Sequence, residues 1–130
     1  MDSNILIRYL SADDAQQTAA ARSLLEQGEE QGERFHISTT VLCELIWTLR
    51  GRPYHLDRPA ITSAIEQLSV TPLFVLQSRE LVLKALQDYR QGRADFPDYL
   101  NGWQDRQAGC KDTLTFDREL AREEGFTLLG

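Results

Sequence analysis

Long apolar runs are missing from this 130-residue chain. The longest fall far short of the roughly 20 residues that a helix needs to cross a bilayer. No basic segment followed by an apolar one opens the sequence, so the expectation is a cytoplasmic protein without membrane contact. Cysteine is scarce: Cys43 and Cys110 have no metal-ligand spacing and read as two reduced, packed thiols. His36 and His55 are solitary, without helical partner spacing, and read as structural or surface groups. Lysine is confined to Lys84 and Lys111, every other basic residue being arginine. An arginine-rich genome explains that bias as well as phosphate binding does. Excess positive charge is also lacking. A net charge of −6 and a pI near 4.9 exclude a protein that coats nucleic acid through a basic surface. They leave a nuclease open, because a bound cation reverses the local sign of a carboxylate cluster.

With 42% hydrophobic residues and no internal repeat, the chain reads as one domain over 1–130. Apolar spacing predicts a helix over 4–10 and, after Asp13-Asp14, a second to about Gln27, followed by a polar loop over 28–33. Phe35 to Ser38 reads as a short strand, with Thr39 or Thr40 capping the next helix. Val41, Leu42, Leu45, Ile46 and Leu49 form the apolar face of that helix, and Glu44 falls at its edge. Pro59 opens another helix, Val70 to Leu76 reads as a strand, and a helix capped by Ser78 ends at Gly92. A strand over 126–129 closes the series. Strands alternating with helices predict an α/β domain with a mostly parallel sheet.

The stretch Asp95-Phe-Pro-Asp98 places two carboxylates one helical turn apart, and Cys110 to Asp117 is a short β-branched strand ending on an aspartate. Functional groups in open α/β sheets collect past the C-terminal ends of strands. Asp2 near the N-terminus and Glu44, the one acid in the uncharged run 37–49, complete a set on four elements. Each has an ordinary role in isolation. Asp95 and Asp98 suit a helix cap and its partner, Asp117 a cap for a helix over 118–124, Glu44 an arginine pair and Asp2 an exposed terminus. Convergence changes the balance. Like charges 4 Å apart repel by about 4 kcal/mol at an effective dielectric near 20, more than a cap returns, so four convergent acids imply a shared divalent cation.

Asp2-Ser-Asn-Ile-Leu-Ile-Arg-Tyr-Leu, Ile37-Ser-Thr-Thr-Val-Leu-Cys-Glu-Leu, Ala94-Asp-Phe-Pro-Asp and Leu114-Thr-Phe-Asp117 together resemble a PIN domain of the VapC-like toxin branch. The resemblance implies a three-layer α/β/α fold with a mostly parallel central sheet. It further implies a ribonuclease dependent on Mg²⁺ or Mn²⁺, an RNA substrate, a cognate antitoxin and a homodimer. Carried over by motif, the ligands are Asp2, Glu44, Asp98 and Asp117, with Asn4 and Thr115 in support and Asp95 as second choice to Asp98. Arg8 is a candidate for holding an RNA phosphate, and Trp47 and Trp103 either stack on bases, pack or meet a partner. Two departures stand out. Only Met1 precedes Asp2 where the family has an apolar central strand, so the first strand reads as truncated. Asn101, Gly102 and Gln104 also make the helix after Asp98 unusually polar. The alternatives are a degenerate PIN-like domain that only binds a partner, and an aspartate-nucleophile phosphatase, which lacks its second aspartate here because Asn4 stands in that place.

Overall fold

A computed structural model of the chain describes residues 1–11 and 15–130. The expected Asp13-Asp14 start of the second helix lies outside the described residues. The chain forms two compact units, Met1–Arg79 and Glu80–Gly130.

The first unit runs α1 (Ser3–Leu10), α2 (Ala15–Glu30), β1 (Phe35–Ile37), α3 (Thr39–Arg50), α4 (Arg58–Val70) and β2 (Phe74–Leu76). β1 and β2 are parallel, with Phe35 opposite Phe74 and Ile37 opposite Leu76. On the other edge of β1 the Met1 amine donates to the His36 carbonyl at 3.1 Å. α2 extends to Glu30 where a loop was expected, because Gly28 is a packing position. A Cβ there would lie 2.6 Å from the Phe35 ring. The turn comes at Gly32, whose positive φ of 73° suits glycine.

Ser38, and neither threonine after it, caps α3: it is the last extended residue, and its Oγ accepts from the Val41 N–H at 3.1 Å. Asp57 caps α4 through the Ala60 N–H at 2.9 Å, with Pro59 in the first turn. That helix continues to Val70, so the strand expected from there shrinks to Phe74–Leu76. Pro72 drives Thr71 into extended backbone and ends the helix late. Leu42, Leu45, Ile46 and Leu49 of α3 are buried, as are Ile61, Ile65 and Leu68 of α4. Burying each such side chain is worth about 1.5–3 kcal/mol.

The second unit comprises α5 (Arg79–Gln91, whose first residue closes the first unit), α6 (Phe96–Gln107), β3 (Thr113–Thr115), a 3₁₀ turn (Leu120–Arg122) and β4 (Phe126–Leu128). β3 and β4 are parallel, Thr113 facing Phe126 and Thr115 facing Leu128. Leu81, Val82, Ala85, Leu86 and Tyr89 of α5 are buried, and Tyr89 meets Phe96 edge to face with centroids 6.3 Å apart. α6 buries Phe96, Tyr99, Leu100 and Gly102 while exposing Asn101. Its glycine has a steric cause, since a Cβ at Gly102 would come within 2.8 Å of the Phe126 ring. Trp103 is packed. Its indole N–H donates to Asp88 Oδ2 at 2.7 Å, and Lys84 and Arg106 lie 5.0 and 4.8 Å from its ring centroid. Helices alternating with short parallel strands make this an α/β chain, in keeping with a PIN-like fold.

Candidate active site

In the second unit the connection from α5 to α6 and the end of β3 enclose a hollow of about 220 Å³. It is lined by Arg93, Ala94, Asp95, Asp98, Asp117, Glu119 and Leu120. Asp95 is the N-cap residue of α6 and Asp98 sits in its first turn, where Asp98 Oδ2 accepts from the Asp95 N–H at 3.3 Å. The expected helix cap is therefore present, and both carboxylates also face the hollow. Asp98 is half-buried, and its pKa is raised. Burial is the leading cause, the Asp95 N–H opposes it, and the carboxylates of Asp95 and Asp117 add to the rise.

Asp117 follows β3. Its Oδ1 accepts from the N–H groups of Glu119 and Leu120 at 2.9 and 3.3 Å, and its own N–H donates to Thr115 Oγ1 at 3.0 Å. Thr115 thus fixes the backbone at Asp117. The helix expected over 118–124 is only the 3₁₀ turn at Leu120–Arg122, followed by an extended Glu123. The wall before α6 is pinned by Tyr99: its Oη accepts from the Ala94 N–H at 3.2 Å and donates to Glu123 Oε1 at 2.9 Å.

In the first unit Asp2 is exposed and caps α1, its Oδ1 accepting from the Asn4 N–H at 2.9 Å. Glu44 is exposed on α3, and its Oε2 accepts from Ser3 Oγ at 3.1 Å. That bond ties the Asp2-Ser3 corner to α3. Ser3 is a positioning residue the sequence reading did not single out. Its signal was a hydroxyl beside Asp2 on the buried side of a short helix. Asn4 and Arg8 line a groove between α1 and α2 of about 540 Å³, together with Ile5, Gln17, Ala20, Ala21 and Leu24. Cys43 is half-buried, and burial first, then the Glu44 carboxylate, push its thiol pKa up. A poorly ionised thiol is a poor nucleophile. Cys110 is exposed, contrary to the packed thiol expected, because it lies in the turn ahead of β3.

Among the described residues, no group of three or more His, Cys, Asp or Glu side chains is arranged to hold a metal ion by itself. The hollow nevertheless offers hard oxygen donors, and Mg²⁺ commonly uses one or two carboxylates while keeping several waters. Asp98 and Asp117 fit that requirement. Asp117 Oδ1 is occupied by backbone N–H groups, which fixes the carboxylate with its second oxygen as the available donor.

Compared with known proteins, the chain is 21% identical over 122 residues to a VapC ribonuclease of Aquifex aeolicus (strain VF5). The match covers 94% of this chain and 89% of that protein. No protein-family profile matches the chain, and no solved structure does. The chain is therefore similar, along most of its length, to a ribonuclease of the kind its four sequence segments resemble. No helix among the described residues is long and apolar enough to cross a membrane.

Proposed function

We propose that the chain is a divalent-metal-dependent endoribonuclease of the VapC kind, the toxin of a toxin-antitoxin pair in the cytoplasm. The observation that carries this reading is the hollow where Asp95, Asp98 and Asp117 meet and Asp98 is held above its ordinary pKa. Carboxylates kept together at such cost are typical of functional sites. The likeness to a VapC ribonuclease supplies the reaction class. The proposed ligands are Asp2, Glu44, Asp98 and Asp117, and the proposed ion is Mg²⁺ or Mn²⁺. Such an ion, when bound, lowers the pKa of a water and stabilises charge on a phosphodiester. The chain's own part is to hold carboxylates in fixed orientations. Ser3 orients Glu44, Thr115 and two backbone N–H groups orient Asp117, and the Asp95 N–H orients Asp98. No nucleophilic side chain is needed.

An acidic cleft on an acidic protein invites a basic side chain from an antitoxin, and we propose that partner together with a homodimer of the chain. The phosphatase alternative is the weaker, because Asn4 stands where that class has its second aspartate. Purified protein should be incubated with RNA and, separately, with a small phosphate monoester, each with Mn²⁺ and with EDTA. Cleavage of RNA alone, in Mn²⁺ alone, is the expected result. Turnover of the monoester points to the phosphatase, and no turnover of either points to a domain that only binds a partner.

A further inference from the structure

Tryptophan carries one of the largest apolar surfaces of any side chain and is seldom left in water without a use. Trp47 on α3 is 79% exposed, whereas Leu45 and Ile46 just before it are buried. It stands on the outward face of the helix with Thr40, Glu44 and Arg50, all exposed. Glu44 and Trp47 are three residues apart, so their Cβ atoms are neighbours about 5–6 Å apart on that face. Trp103 differs, since its indole N–H and ring are both engaged within its own unit.

We infer that Trp47 is a stacking platform for a base of single-stranded RNA, seated one helical turn from Glu44. This rests on the ribonuclease reading and adds to it a residue that selects and positions substrate. An indole beside a candidate site carboxylate lies within reach of the nucleotide flanking the phosphate at that carboxylate. Aromatic stacking tolerates any base and favours purines through their larger rings. A docked protein is the weaker alternative, because the core of a protein interface is apolar. The other exposed positions of α3 around Trp47 are a threonine, a glutamate and an arginine.

The test uses the full chain, W47A and W47F, with oligoadenylate and oligouridylate at low salt in Ca²⁺ in place of Mn²⁺, so that a cation offsets the acids while binding is read apart from cleavage. Wild-type indole fluorescence should be quenched by RNA, more by oligoadenylate, and the quench should be lost in both variants although Trp103 remains. By anisotropy of labelled RNA, W47A should bind about 10-fold more weakly and W47F nearly as well as wild type. With Mn²⁺ added, the loss in W47A should appear in KM, with kcat little changed. Equal affinity for all three proteins overturns the inference, as does wild-type fluorescence that neither strand alters. A change in oligomeric state in W47A with RNA affinity intact makes Trp47 a protein contact and also overturns it. If wild type cuts no RNA yet binds it through Trp47, the platform stands and the ribonuclease reading fails.

Discussion

The Asp98 carboxyl takes up a proton more readily in the fold than in the unfolded chain, because it is half-buried and faces Asp95 and Asp117. Its folded pKa therefore lies above the ordinary 3.8. For an acid shifted that way, the native state binds more protons between the two values. Stability falls as pH rises through that window, and above the folded pKa the full cost is present. Asp98→Asn removes the charge and keeps an oxygen to accept the Asp95 N–H. Thermal melts in EDTA at pH 7.5 should show the variant as stable as wild type or more so, the difference shrinking as pH falls toward 4. RNA cleavage in Mn²⁺ should drop by more than about 100-fold, beyond the usual effect of losing an outer-shell partner. Clear destabilisation at pH 7.5 would make Asp98 a structural acid. Asp117 separates the two roles differently, because its Oδ1 caps the turn that follows. Asp117→Ala should cost about 1 kcal/mol in urea unfolding, whereas Asp117→Asn keeps the cap and should lose only cleavage.

At the scale of elements, α6 shows how a helix that looks too polar packs well. Gly102 and the Phe126 ring meet so closely that Gly102→Ala should destabilise by about 1–3 kcal/mol. Helix propensity alone would have it stabilise by up to about 1 kcal/mol, so the sign of the change in a denaturant melt decides between them. The α3 face and the α5 stripe were legible from apolar spacing, since a periodic pattern needs no knowledge of what it packs against. Element ends were less so. Ser38, Gly28 and Val70 each took a role set by a neighbour, respectively the end of β1, the Phe35 ring and the Pro72 turn. The Asp95-x-x-Asp98 pair was legible as a local motif, and its bond is local. Ser3 to Glu44 was not, because a contact between residues 41 apart leaves no spacing signal.

For the whole molecule, a net charge of −6 means that no excess of basic charge supplies nonspecific affinity for RNA. Ionic strength should therefore affect binding less steeply than it does for basic nucleases. Expression without a partner should be toxic or low-yielding, and co-expression with a basic antitoxin should restore yield. Healthy growth with abundant active enzyme would count against the toxin reading. Divalent-ion binding is what we propose for the carboxylates of Asp2, Glu44, Asp98 and Asp117. Its most direct test is a Mn²⁺ titration followed by the electron paramagnetic resonance of the free ion, on wild type, Asp98→Asn and Asp57→Asn. Asp57 is a suitable control because it caps α4 and lies outside the proposed ligands. Wild type and the control should bind alike, and Asp98→Asn should bind at least about 10-fold more weakly. Equal binding by all three, or none by wild type, would contradict the claim.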